Sequence, residues 1–271
     1  MFGKNHVQYV NDLIAFYLNT VLSELEASEK AKDILLQSYE TYRALRPPKP
    51  TYRQFITDNA IDAEWWQNRL RLLQLIGGSH GAASEYDVHS LRERLAPYSD
   101  ELVPEMIILN GREGKHEEAL RLLTHGLGDF DTAIRYCLLG GSSIFHPGSG
   151  LLPDQTLSTK EEQARLFEYL LHEFFRIEDL NERLERTAEL LDRFGGWFDV
   201  AKVIELIPES WSVELVSGFL VHAFRRLVRE RNESVVVKAL SSAQNLRQSV
   251  EFIEKTESIG PTILNAEIDA G

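Results

Sequence analysis

The sequence predicts an all-α fold, an α-solenoid of stacked antiparallel helix pairs. Apolar residues recur at three- and four-residue spacing along most of the chain, glycine and proline turns join these stretches, and nothing supports a sheet strongly. The stretch Glu105–Cys137 shows the pattern most clearly. Ala119, Leu120, Leu123 and Leu127 form one apolar stripe, while Glu117, Glu118 and Arg121 fall on the polar side as i,i+3 and i,i+4 partners. Gly111 and Gly114 before this helix, and Gly126 and Gly128 after it, allow the backbone to reverse at both ends and lay successive helices antiparallel.

The elements follow in order. Val10, Leu13, Ile14, Tyr17, Leu18, Val21, Leu22 and Leu25 mark an amphipathic first helix, and a second runs around Ala31–Leu45. Arg46-Pro47-Pro48-Lys49-Pro50 cannot continue a helix, because consecutive prolines remove donors and push the preceding residues into extended conformations. It forms a stiff elbow. Helices are expected over Trp65–Ile76, ending at Gly77-Gly78, and over Ser84–Leu95, ending before Pro97. Gly140–Thr159 is rich in glycine, serine and proline and reads as a flexible loop. It divides the chain into a first helical segment, 1–139, a loop, 140–160, a second helical segment, 161–254, and a tail, 255–271.

Helical patterning resumes from Lys160 through Phe194 and again over Phe198–Ile207. Pro208 ends that helix and Ser212 caps the next, with Trp211 and Val216 placed as a hydrophobic staple. On its wheel Val216, Leu220, Ala223, Phe224 and Leu227 form the expected buried face, with His222, Arg225, Arg226 and Arg229 opposite. That basic stripe suits an acidic partner helix, or else a solvated face paired with Glu230 and Glu233. Val235–Val237 would suit a strand, but Glu233 and Lys238-Ala239-Leu240 favour a helix beginning near Asn232 or Ser234. Gly128-Asp129-Phe130-Asp131-Thr132-Ala133 echoes Gly196-Trp197-Phe198-Asp199-Val200-Ala201 at an offset of 68 residues. Two helix-pair repeats of about 34 residues each would produce that offset, as in tetratricopeptide-like or clathrin-repeat-like arrays.

Composition bounds the function. With 271 residues, 43% of them hydrophobic, the chain can bury a sizeable core. A formal charge of −13 argues against wrapping nucleic acid or lying broadly on an anionic membrane, and so favours protein partners. The single cysteine, Cys137, excludes an intrachain disulfide and fits a reducing compartment. No run approaches the roughly 18 apolar residues of a membrane span, and the termini show neither a secretory signal nor a lipidation box. The expectation is a cytoplasmic protein that something else recruits to membranes, without direct insertion.

Motifs for catalysis are weak. Gly77-Gly78-Ser79-His80-Gly81 matches the nucleophile elbow, but Ser79 follows a charged helical pattern, Arg69-Leu70-Arg71-Leu72-Leu73-Gln74, where the motif needs a buried strand. His116-Glu117 and His172-Glu173 begin like a zinc-protease helix, yet Leu120 and Arg176 stand where the second histidine is required. Gly114-Lys115 lacks the hydroxyl residue and glycine spacing of a phosphate loop. No enzyme activity, cofactor or metal is expected.

Two blocks carry a resemblance. One is Ile108-Leu109-Asn110-Gly111-Arg112-Glu113-Gly114-Lys115-His116-Glu117-Glu118-Ala119-Leu120, continuing through His125, Asp129-Phe130 and Ala133 to Tyr136-Cys137. The other runs from Leu190-Leu191-Asp192-Arg193 through Phe198-Asp199 and Ala201 to Ile207-Pro208-Glu209-Ser210-Trp211-Ser212-Val213, then Phe219-Leu220, Ala223, Ala239-Leu240 and Asn245-Leu246. The chain resembles the C-terminal region of the vacuolar protein sorting 3 and TGF-beta-receptor-associated protein family. The vacuolar protein sorting 39 family, found in the HOPS complex, shares the first block, so Trp211-Ser212-Val213 carries the distinction.

The resemblance implies the far end of an α-solenoid in a subunit of CORVET, a complex that tethers endosomal membranes before fusion. The implied partners are the core subunit vacuolar protein sorting 11, other CORVET core subunits and, through the rest of the protein, the early-endosomal Rab GTPase. Two departures stand out: no N-terminal β-rich domain and no terminal Cys/His zinc module. A peptide-binding tetratricopeptide-like adaptor shares the fold, and a hydrolase using Ser79 is the reading from another class. Within the helical reading, His222, Arg225, Arg226 and Arg229 are the candidate partner-binding residues.

Overall fold

The computed structural model describes residues 2–77, 86–141, 160–208, 211 and 213–259, and among them every regular element is helical. The chain divides into two compact units, Met1–Glu209 and Ser210–Gly271. The first is an α-solenoid.

Its opening helix, α1 (Phe2–Ala27), buries Val10, Ile14, Leu18, Val21 and Leu25, a run that keeps one face inward. Leu13, Tyr17 and Leu22, at the margins of that face, are half-buried. Only Ser28, in an extended conformation, separates it from α2 (Glu29–Ala44), so the helical path breaks at this one residue. Ala31, Leu35, Tyr39 and Tyr42 face inward from α2. The elbow follows, with the Pro47–Pro48 peptide cis. Lys49 fixes it in place: its Nζ donates to Gly128 O at 2.6 Å and lies 4.5 Å from the Tyr42 ring centroid.

Thr51 caps α3 (Tyr52–Asp58) in a full capping box with Gln54. Next comes α4 (Glu64–Gly77), which packs on α1 with one side and on α6 (Val103–Arg112) with another. Burial on two sides explains why Asn68 and Arg69 are enclosed together with Trp66, Leu72, Leu73 and Ile76. The helix expected from Ser84 begins, within the described residues, at Val88, where Asp87 caps α5 (Val88–Leu95), and a 3-10 turn carries Pro97. In α6 every residue from Val103 to Asn110 is buried, because α4, α5 and α7 (His116–Arg121) enclose it. Gly111 belongs to this helix rather than to the turn, and Gly114, at φ 77°, makes the reversal.

The predicted stripe on 116–127 is fully formed: Ala119, Leu120, Leu123 and Leu127 are all buried. Here α7 (His116–Arg121) widens into a π turn over Leu122–Leu127, which Gly128 closes at φ 69°. Asp129 then caps α8 (Phe130–Leu138). Patterning from Lys160 to Phe194 is two helices, α9 (Lys160–Phe175) and α10 (Leu180–Phe194), separated by a turn before the capping residue Asp179. Both α7 and α8 pack on α9, so the helices before and after residues 142–159 share one core. The expected loop falls largely outside the described residues. A 3-10 turn at Gly195–Trp197 leads to α11 (Val200–Leu206), capped by Asp199.

The 68-residue echo does not superpose as a repeat. The caps Asp129 and Asp199 are 70 residues apart, and Ala133 is buried whereas Ala201 is exposed. Phe130 and Phe198 are buried in both copies, but Phe130 lies inside its helix and Phe198 precedes its own.

The second unit contains α12 (Val213–Ile259), 47 residues without a break. A fresh start near Asn232 or Ser234 is not observed. Residues 230–238 contain neither glycine nor proline, and Asn or Ser inside a helix costs only a few tenths of a kcal/mol relative to the better formers. Val235–Val237 are helical, and the helix continues to Ile259, five residues beyond the expected end of the helical segment at 254.

Candidate interaction surface

Among the described residues the strongest exposed apolar feature is on α12, over residues 221–238. Val221, Phe224, Val228 and Val235 are 46, 56, 58 and 60% exposed. At 100° per residue they fall within a band about 60° wide, the arrangement of a helix–helix seam. Leu246 and Ile253 continue the band toward the C-terminus and are also exposed. Phe224, assigned to a buried face on the wheel, is therefore exposed and belongs to this seam. The seam's periodicity is readable from sequence, but the choice of inward face assumed a neighbouring helix, and the described residues of unit 2 offer none over it.

Arg225 and Arg229 are exposed along one margin of the seam, as expected for the basic stripe, while the side chains of His222 and Arg226 lie outside the described ones. Arg231 and Lys238 are exposed along the opposite margin, which the sequence reading missed. Extending the wheel past Leu227 would have found them. None of Arg225, Arg229, Arg231 or Lys238 forms an ion pair among the described residues. A shallow groove beside the seam is lined by Phe224, Arg225, Val228, Arg229, Asn232 and Val236 among others. Ser212 and the side chain of Val216, the expected cap and half of the expected staple, lie outside the described residues.

In unit 1, Glu173, His116 and Arg121, singled out in the sequence, take part in structural contacts. Glu173, from the His172-Glu173 pair, is buried and accepts from Arg176 Nη1 at 2.8 Å, with His125 Nε2 at 3.1 Å. His116 places Nδ1 2.6 Å from Tyr136 Oη, and burial lowers its pKa despite the opposing charge of Glu162. Arg121 pairs with Glu117 at 3.7 Å, the i,i+4 partnership read from the sequence. No group of three or more His, Cys, Asp or Glu side chains is placed to hold a metal among the described residues. Ser79 and its glycine-rich neighbours at 78–81 lie outside them. No helix among the described residues is long and apolar enough to cross a membrane.

The chain is 31% identical over 211 residues to Transforming growth factor-beta receptor-associated protein 1 of Mus musculus, covering 78% of this chain and 22% of that protein. The Homo sapiens protein of the same name is 29% identical over 231 residues, covering 85% of this chain and 24% of its own length. A Danio rerio homologue is 32% identical over 151 residues, 55% of this chain and 16% of that one. The chain thus matches about a quarter, or less, of the length of these curated relatives. All three are named as receptor-associated proteins or homologues of one, not as enzymes. No protein-family model matches the chain, and no solved structure does. The likenesses support membership of the transforming growth factor-beta receptor-associated protein family.

Proposed function

We propose that this chain is a non-catalytic scaffold, the solenoid segment of a CORVET-type subunit that tethers endosomal membranes before fusion. Its docking partner in this reading is the core subunit vacuolar protein sorting 11, and its location is peripheral on endosomal or vacuolar membranes. One observation carries the proposal: a likeness to a receptor-associated relative that runs through 78% of the chain. A long helix with an exposed seam and a basic margin is a physical means of docking.

Affinity capture tests the assignment. The purified chain should retain the C-terminal region of the core subunit, and absence of capture would remove that partner. Reversing Arg225, Arg226 and Arg229 to Glu should weaken capture without lowering the melting temperature, because Arg225 and Arg229 are exposed. Unchanged capture would leave this margin as a solvated face.

A further inference from the structure

We propose that residues 221–238 of α12 dock an acidic amphipathic helix of a protein partner, with the seam between two basic margins. The inference rests on the reading of the chain as a protein-binding scaffold and deepens it by naming the partner's chemistry. Val221, Phe224, Val228 and Val235 supply the seam over about 21 Å of helix. Arg225 and Arg229 flank it on one side, Arg231 and Lys238 on the other, and all four are exposed.

Charge selects the occupant. Residues 221–238 contain Arg225, Arg226, Arg229, Arg231 and Lys238 against only Glu230 and Glu233, in a chain whose net charge is −13. A second copy of this segment would set cations against cations: parallel pairing brings opposite margins together and antiparallel pairing brings like margins together. An apolar partner seam bordered by Asp or Glu meets charge-assisted hydrogen bonds on both sides, bidentate where arginine provides them. Asn232, at the edge of the seam, supplies a polar contact that fixes register.

A lipid surface fits less well. A helix lying in a bilayer interface presents a broad apolar face opposite a charged one. Here the seam is narrow, and Val237 and Leu240, 65% exposed each, lie away from it on sides that would face water.

Two designed helical peptides provide the test, with the same leucine seam and either Glu or Lys at the flanking positions. Binding to the full chain is followed by fluorescence anisotropy in low salt. The Glu-flanked peptide should bind at least tenfold more tightly than the Lys-flanked one, and 0.3 M NaCl should weaken it severalfold. Arg231→Glu with Lys238→Glu should lower its affinity at least fivefold, and Val228→Asp should abolish binding. Equal binding of the two peptides, or indifference to the Arg231 and Lys238 reversals, overturns the proposal.

Phosphatidylserine vesicles that displace the peptide more effectively than free acidic peptide does, or a dimer in sedimentation that Val228→Asp dissolves, would also overturn it by showing another occupant. Peptide discrimination without capture of the core subunit would keep the seam and remove that partner. Capture of the core subunit that survives reversal of all four cations would remove the seam.

Discussion

Arg69 and Glu105 form a two-pronged ion pair inside unit 1, with Nε to Oε1 at 2.8 Å and Nη2 to Oε2 at 3.2 Å, and neither side chain reaches solvent. The pair joins α4 to α6, and Arg69 Nη2 also donates to Tyr39 Oη of α2 at 3.2 Å. Tyr39 in turn donates to the Glu101 carbonyl just before α6. Burial opposes the charge on Arg69, but Glu105 and the neighbouring tyrosines outweigh it and raise its pKa above the ordinary range.

Removing one partner is more damaging than removing both. Glu105→Gln leaves a buried guanidinium without its counter-ion and should cost about 3–5 kcal/mol in urea unfolding. The double variant Arg69→Met, Glu105→Leu should recover most of that loss, because desolvation of two charges is relieved together. Equal losses from the single and double variants would show that packing, rather than charge pairing, dominates at this site.

Asp129 joins two helix starts at once. Its Oδ1 accepts from Thr132 N at 3.1 Å, while Oδ2 accepts from Tyr52 N at 2.8 Å and from Thr132 Oγ1 at 2.7 Å. Asp199, exposed, performs a single task by accepting from Ala201 N at 3.0 Å. Asp199→Ala should therefore cost about 1 kcal/mol, the usual loss of a cap. Asp129→Ala should cost about 2–4 kcal/mol, since it strands buried donors on α3 and α8 together. Chemical denaturation of both variants would check the ordering.

These sites mark how far the sequence carries the fold. Local patterns that need only one helix were legible: the Ala119–Leu127 stripe, the glycine reversal at 114 and the proline elbow. Relationships that need a third helix were not. Arg69 sits in a charged helical pattern and gives no sign of burial, because its enclosure depends on α1 and α6 arriving from opposite sides. Phe224 failed in the opposite direction, since a wheel reports amphipathicity but not whether anything packs against the apolar side. At the candidate surface, the Arg225 and Arg229 margin was legible, and the Arg231 and Lys238 margin required knowing that the helix continues through Asn232.

Cys137 is completely buried, and burial pushes its thiol well above the usual range. Iodoacetamide at neutral pH should leave the folded chain unmodified and react only when unfolding exposes the sulfur. Mass spectrometry across a urea gradient should show alkylation rising with the unfolding transition. Rapid modification in buffer would mean that α8 opens locally without global unfolding.

His116 is the clearest source of pH dependence in unit 1. Burial lowers its pKa in the folded chain, where Nδ1 is held against Tyr136 Oη and the Gly141 backbone closes over the ring, so that an added Cβ would stand 2.6 Å from Cε1. The unfolded chain therefore binds the proton more readily than the native one. Above the unfolded pKa of about 6.5 both states are neutral and His116 imposes no proton-linked penalty. As pH falls through that value the unfolded state gains protons first, stability declines, and the decline levels off below the lowered native pKa. Glu113 contributes lower on the scale: Lys115, outweighing a small burial effect, holds its pKa down, so its stabilisation fades as pH falls through the carboxylate range. The two effects separate in a His116→Gln variant, whose urea midpoint should drop less than that of the parent chain between pH 7.5 and pH 5.5. Parallel midpoints over that interval would mean that His116 binds its proton equally well in the folded and unfolded states.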